Sequence, residues 1–359
     1  MLFVPFVVKI PLPHVPNMQA LLLEKPGQFA TIEVDEPAAP GLGEALVRVH
    51  RVGICGTDIA GYLGRFPFYS YPRIPGHELG VEVLAVGADV ANVKPGDRCS
   101  VEPYINCQTC YACRQGRTNC CQKLQVLGVH TDGGMRSRIL VPARKLHPSE
   151  KLSLEQLALV ETLGIGCHAV DRAAPRRDEH VLVIGAGPIG LSVLEFVKLA
   201  GARITVLDLS ASRLDFCRQS MGIADTIQAT GDGLEIAKLE QLGDGMLPTV
   251  VIDATGSAKS MSAAFQYVGH TGKLVFVGIT TQDVSFADPL LHTREMTVYA
   301  SRNALADDFR RIIRLIEDGQ IDTRPWITHR SNFAALAADF PSYTRPETGV
   351  IKAMVEVEG

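Results

Sequence analysis

The stretch that decides the fold is residues 181–190, Val181-Leu-Val-Ile-Gly185-Ala-Gly187-Pro188-Ile189-Gly190. Four apolar residues of strand type run directly into three spaced glycines. Val193, Phe196, Val197 and Ala200 follow at i, i+3, i+4, i+7, the apolar stripe of a helix. A lone GxGxxG says little, but a strand before it and a helix after it make a dinucleotide fingerprint. Gly185 allows the tight turn. Gly187 lets a pyrophosphate approach the backbone, and Gly190 lets helix and strand pack closely. Pro188 and Ile189 open the helix, whose free N–H groups and positive dipole end face the phosphates. The next strand ends at Asp208, 18 residues after Gly190. A carboxylate there accepts hydrogen bonds from the adenosine ribose and repels a 2′-phosphate. Like charges about 4 Å apart cost roughly 1 kcal/mol in water and about 4 at a protein surface. NAD is therefore favoured over NADP by about ten- to a thousand-fold. Arg213 is placed either to stack on the adenine or to pair with a phosphate, and the second role works against that preference.

Outward from this unit, residues 204–207, 250–252, 274–277 and 297–300 are further short apolar runs, with helical stretches between several of them. This alternation predicts parallel strands joined by crossover helices. Residues 18 to about 160 read differently. They hold Gly, Pro and short β-type runs (45–50, 80–86, 137–141), parted by turns such as Lys94-Pro95-Gly96-Asp97. That pattern predicts a small, irregular, mostly β domain. Phe309, Ile312, Ile313 and Ile316 mark a last amphipathic helix. A chain of 359 residues suits two domains, possibly three. At 46% hydrophobic, 21% charged and net charge −4, it has ample core and is not a disordered chain. The slightly acidic balance argues against nucleic acid or an anionic membrane as partner, since either favours a basic patch. No apolar run reaches the length of a membrane span. The opening MLFVPFVVKIPLP is a poor signal peptide, and Met18 begins a natural first strand, so residues 1–17 read as an extension.

Five of the nine cysteines, Cys107, Cys110, Cys113, Cys120 and Cys121, fall within fifteen residues. An odd total without a secretory signal argues for metal rather than disulfides. Cys107, Cys110, Cys113 and Cys121 have the spacing C-x₂-C-x₂-C-x₇-C. Four soft ligands on a tight loop suit tetrahedral zinc and leave no open position, so such a site is structural. Spacing alone does not choose between Cys120 and Cys121. A zinc-ribbon nucleic-acid reader would bring more basic residues than Arg114, Arg117 and Lys123.

Three more segments, Gly53-Ile-Cys55-Gly-Thr57-Asp58, Pro75-Gly-His77-Glu78 and Val160-Glu161-Thr162, say little singly. Together with the cysteine lobe, GAGPIG, Asp208 and Asp253-Ala-Thr255-Gly256, in this order and spacing, they closely resemble the zinc-dependent medium-chain dehydrogenase/reductase family. The resemblance runs from about Met18 to the C-terminus. It implies an α/β plus mostly-β fold: a GroES-like catalytic domain (18–164 and 303–359) interrupted by a Rossmann NAD-binding domain (165–302), with the active site between them. It makes Cys55 and His77 the first two ligands of a catalytic zinc. Glu161 stands where the simple alcohol dehydrogenases have a second cysteine and the sorbitol and polyol branch a glutamate. In that branch Glu78 lies beside the metal, as a fourth ligand or a neighbour. The resemblance gives Thr57 the task of taking the substrate proton. It adds Thr255, Gly278 and Arg302 to the cofactor contacts, Arg302 where relatives approach the nicotinamide.

The chemistry implied is that of two zincs per chain with different tasks. Thiolate and carboxylate neutralise Zn²⁺, the imidazole adds no charge, and an open position leaves a Lewis acid that acidifies an alcohol. One departure stands out. Ala60 occupies the position where many relatives carry a histidine that passes the proton to solvent, which predicts a different pH profile. Leu127-Gly-Val-His130-Thr-Asp-Gly-Gly resembles a stretch of bacterial sugar-acid dehydrogenases, including those for L-galactonate. His130 otherwise reads as a loop histidine, and His168 as packing. The expected protein is a cytoplasmic, NAD-dependent dehydrogenase of a polyol or sugar acid, forming a homodimer or homotetramer through its last Rossmann strand. An L-threonine 3-dehydrogenase or glucose dehydrogenase type enzyme is the alternative. A zinc-stabilised NAD-binding sensor without turnover is the alternative of another class.

Overall fold

The computed structural model describes residues 17–231 and 233–357. Of the expected extension, residues 1–16 lie outside the described residues, and Asn17 is the first residue of the strand Asn17–Lys25. Two large sheets carry the architecture. The first has six parallel strands in the spatial order Asp225–Gln228, Arg203–Asp208, His180–Ile184, Val250–Asp253, Lys273–Phe276 and Thr297–Ala300. In chain order this is 3-2-1-4-5-6, the doubly wound arrangement. Its order reverses between His180–Ile184 and Val250–Asp253, and ligands bind outside the carboxyl ends of strands at that point. All five residues of His180–Ile184 are buried, because helices cover both faces of a parallel sheet. The strand Asp225–Gln228 has no apolar run. Only Ile227 is buried, as suits an edge strand, so its sequence reads as polar linker.

The second sheet holds seven strands. Ile327–Asn332, Lys352–Glu356, Glu44–Ile54, Glu78–Val86, Arg98–Val101 and Leu146–Pro148 run in that order, and Arg138–Pro142 also pairs with Glu44–Ile54. The C-terminal strand therefore returns to the first half of the chain. Ala353 lies opposite Ile54, which brings Lys352 beside Cys55. Gly53 lies opposite Glu78, the residue that follows His77. The site residues of this sheet thus gather at the ends of three neighbouring strands.

The helix Leu154–Ala173 joins the two halves. At 20 residues it is about 30 Å long, and it runs unbroken past position 164. Its N-terminus carries a capping box: Ser153 Oγ accepts from the Gln156 N–H at 3.2 Å, and Gln156 accepts from the Ser153 N–H at 3.0 Å. Fourteen of its residues are buried, since it packs on the second sheet and on the helices Pro188–Leu199 and Ala306–Glu317. A helix apolar all round is a core helix. It carries Glu161 and His168, seven residues apart and hence on one face.

Candidate active site

The fingerprint turn has the expected geometry. Gly185 sits at φ +96°, and a Cβ at Gly190 would lie 1.8 Å from the Gly185 carbonyl oxygen, so no side chain fits there. Gly187 caps the helix Pro188–Leu199, with Pro188 at its first turn. Asp208 ends its strand. Its Oδ2 accepts from the Ala186 N–H at 2.6 Å and its Oδ1 from the Ser210 N–H at 2.7 Å. The carboxylate thus braces the turn and keeps further lone pairs on both oxygens for hydroxyl donors. The Arg213 guanidinium lies 3.7 Å from the place of a Gly187 Cβ. Thr255 bonds Asp253 through its N–H and its hydroxyl, at 2.9 and 2.7 Å. A Gly278 Cβ would lie 2.3 Å from the Gly256 N, so these two loops close the crevice together. Two surface grooves, of about 310 and 780 Å³, lie around Glu179, Arg203, Thr249 and Lys273. Those residues stand at the amino ends of the strands, the wrong side for a dinucleotide.

The cysteine lobe is an excursion between the paired strands Tyr104–Ile105 and Gln125–Val126. The Sγ atoms of Cys107, Cys110, Cys113 and Cys121 all lie within 4.8 Å of one another. Cys120 is exposed and outside this group, so the structure selects Cys121. N–H groups point at sulfur: Cys110 N to Cys107 at 3.4 Å, and Cys107 N and Lys123 N to Cys121, both at 3.3 Å. The Thr109 N–H and hydroxyl and the Cys110 N–H hold the Cys107 thiol down at about 5, whereas burial pushes Cys121 up to about 11. A thiolate set of this kind fits zinc.

The third cluster is drawn from distant segments. Cys55 caps the helix Gly56–Tyr62, and its N–H donates to Asp58 Oδ2 at 2.9 Å. Thr57, half-buried, sits on the first turn of that helix. His77 is buried with its Nδ1 3.7 Å from Asp58 Oδ1, and neither atom has a hydrogen-bond partner. The Cys55 thiol is within hydrogen-bonding reach of His77. Burial alone would lower the imidazole pKa. The charges of Asp58, Cys55 and Glu161 outweigh burial and hold it well above the usual range. Glu161 is 4% exposed, and burial raises its pKa. The Tyr104 hydroxyl donates to Glu161 Oε1.

Glu78 is wholly buried, and both of its oxygens accept from Lys352 Nζ, at 2.6 and 2.8 Å. The third ammonium proton goes to the Ile54 carbonyl at 3.2 Å. A Cβ at Gly53 would lie 2.1 Å from Glu78 Oε2, which is why glycine stands there. Asp58, Glu78 and Glu161 are three buried carboxylates against one buried ammonium. Beside a thiol and an imidazole, that imbalance fits a bound dication. The ligand atoms of Cys55, His77 and Glu161 are not all within 4.8 Å of one another, unlike those of the lobe. The centre is thus looser than the lobe.

Arg302 is exposed, and its carbonyl accepts from the Asn119 amide at 2.8 Å. Its charge acts on His130, whose Nδ1 accepts from the Val126 N–H at 3.0 Å. His168 is buried, as expected of a packing residue, and both of its nitrogens have polar neighbours. Its Nδ1 lies 3.3 Å from Asp308 Oδ2 and its Nε2 3.1 Å from the Asn119 amide. Cys167, on the same helix as Glu161, contacts Arg311 and Asp308, away from this cluster. Sequence reasoning missed Tyr104, Asn119 and Lys352. Each is an ordinary residue in its own segment, and a lysine in the strand Lys352–Glu356 reads as a solvent-facing position.

Comparison with known proteins bears on this geometry. Residues 41–151 match the alcohol dehydrogenase GroES-like domain, and residues 188–318 match the zinc-binding dehydrogenase family. An L-galactonate-5-dehydrogenase of Escherichia coli K12 is 38% identical over 339 residues, 94% of this chain and 99% of its own length. An L-arabinitol 4-dehydrogenase of Aspergillus oryzae is 33% identical, over 87% of this chain and 86% of its own. A crystal structure of an E. coli CFT073 alcohol dehydrogenase (rspB) complexed with NADH superposes with a TM-score of 0.88 at 29% identity. It covers 95% of this chain and 99% of that one.

Proposed function

The chain belongs to the zinc-containing alcohol dehydrogenase family, and from that premise we propose that Cys55, His77 and Glu161 hold its catalytic zinc. The protein is an oxidoreductase that transfers hydride between a secondary alcohol and NAD. Its substrate is a sugar acid or polyol. The observation that carries this reading is the burial of Glu161, not a cysteine, beside Cys55 and His77. Within that class, the likeness of 94% of the chain to an L-galactonate-5-dehydrogenase favours sugar acids. When bound, zinc supplies a Lewis acid and NAD the hydride acceptor.

The chain's own residues do the rest. Asp58 stands 3.7 Å behind His77 Nδ1, where its charge, rather than a hydrogen bond, would steer the ring. Lys352 neutralises Glu78 by bonding both of its oxygens, which supports Glu78 as a neighbour of the metal rather than a fourth ligand. The Thr57 hydroxyl accepts the substrate proton while passing its own on to water, to Glu161 or to a ribose hydroxyl, since position 60 is alanine. Gly185, Gly187, Pro188, Ile189 and Gly190 cradle the pyrophosphate, Asp208 takes the ribose, and Arg213, Thr255, Gly278 and Arg302 complete the cofactor contacts. Cys107, Cys110, Cys113 and Cys121 hold a second, structural zinc. The catalytic domain is residues 18–164 and 303–359, and the Rossmann domain residues 165–302. This division is supported by the two separate sheets.

No described helix is long and apolar enough to cross a membrane. The nine cysteines are all free, which supports a reducing, cytoplasmic setting. The exposed strand Thr297–Ala300 ends its sheet and supports pairing with a second copy as a dimer or tetramer. The test of function is NADH formation across aldonates, polyols, aldoses and threonine. Aldonates should lead, with polyols next. Preference for threonine or an aldose would replace the substrate class, and no turnover with any would leave the sensor reading.

A further inference from the structure

Tyr104 is not a residue that the sequence motifs single out. It is 2% exposed, and its ring is fixed on several sides. Its strand pairs with Gln125–Val126, which closes the base of the cysteine lobe. The ring meets Phe309 edge-on at 6.4 Å, and Phe309 stacks on His147 at 5.0 Å. His147 in turn lies 3.3 Å from the buried Glu102, which also pairs with Lys145. A tyrosine held this way has one soft degree of freedom, the hydroxyl rotor, and a buried hydroxyl needs a partner. Its partner is Glu161 Oε1, 57 residues away on the helix Leu154–Ala173.

We propose that Tyr104 is a positioning residue for the reaction centre: by holding Glu161 Oε1 it reserves Oε2 for the metal, and so makes the base of the cysteine lobe part of the catalytic machinery. The proposal rests on the reading of Glu161 as a zinc ligand. A carboxylate has two equivalent oxygens and rotates freely unless one of them is bound. Glu161 has no other side-chain hydrogen bond among the described residues, and the nearby Lys352 is committed to Glu78 and Ile54. Without the tyrosine hydroxyl no hydrogen bond fixes the rotation of Glu161; the charges of His77 and Lys352 attract it and that of Glu78 repels it, but none of them selects one oxygen over the other.

The test is a double-mutant cycle on the zinc-loaded enzyme, with chelator competition as the readout of zinc affinity. Tyr104→Phe keeps the ring and removes the hydroxyl. Loss of a bond that orients a metal ligand typically costs about 10- to 100-fold in affinity or activity. The expected result is a loss of that size in the affinity of one zinc and in kcat. The second zinc and the KM for NAD should stay unchanged. In a Glu161→Cys background a thiolate takes the ligand position and needs no tyrosine. Tyr104→Phe should then have no further effect on zinc affinity. An equal loss in both backgrounds, or loss of both zincs, means that Tyr104 supports the fold, and overturns the proposal. So does an affinity within twofold of wild type. Cys55→Ser separates the two ideas: if it retains both zincs, the catalytic zinc is misassigned, whatever Tyr104→Phe does.

Discussion

The cysteine lobe and the reaction centre are two thiol-containing sites built in opposite ways. All four lobe sulfurs come from residues 107–121, and the donors that stabilise them are mostly backbone N–H groups of the same loop. The reaction centre takes Cys55, His77 and Glu161 from a helix cap, the approach to a strand and the middle of a long helix. Lys352, 274 residues from its partner Glu78, offsets one of its three buried carboxylates. A site that only closes a loop is self-contained. A site that must keep a coordination position open cannot saturate its metal with its own loop, and depends on the scaffold for charge balance and orientation.

Four substitutions test that difference, the largest effect first. Cys55→Ser should abolish NADH formation while leaving one zinc per chain and NADH binding intact, measured by metal analysis and fluorescence titration. Comparable turnover would remove Cys55 from the chemistry. Cys110→Ser should act on stability instead. It should lose the lobe zinc and about 4 kcal/mol or more of folding free energy, as loss of a structural metal does, seen in denaturant unfolding. If stability held, the lobe would not be a metal-closed unit.

Lys352→Met strikes the scaffold of the reaction centre without touching a ligand. It leaves Glu78 buried and uncompensated, which costs about 3–5 kcal/mol when one partner of a buried pair is removed. Pairing it with Glu78→Gln should restore much of that. An unstable double variant would mean that packing, not charge, is what Lys352 contributes. The smallest effect belongs to the cofactor crevice. Asp208→Gly should lower the NAD-over-NADP preference by about tenfold or more, in the ratio of kcat/KM values. An unchanged ratio would confine Asp208 to bracing the turn at Ala186.

Legibility followed chain distance. The parallel sheet was readable because each buried strand is a local apolar run, and the lobe because its spacing is local. Asp225–Gln228 was not, because an edge strand needs only Ile227 in the core. In the reaction centre Cys55, His77 and Glu161 stood in motifs that a family resemblance could join. Tyr104, Asn119 and Lys352 did not. His168 shows burial but not bonding in its local pattern, because its partners Asn119 and Asp308 are 49 and 140 residues away.

The sequence by itself determined the dinucleotide turn and the location of the cysteine lobe within residues 107–121, since both are set by backbone conformation or ligand spacing within a few tens of residues; the choice of Cys121 over Cys120 came from the tertiary structure. Only the tertiary structure decided what surrounds the metal-binding side chains. Glu78 is drawn to Lys352, Glu161 is held by Tyr104, and the segment after the strand Thr297–Ala300 is tied through the Arg302 carbonyl to Asn119. The physical reason is that a buried charge must find its partner wherever the fold delivers one, and no local pattern records which distant strand that is.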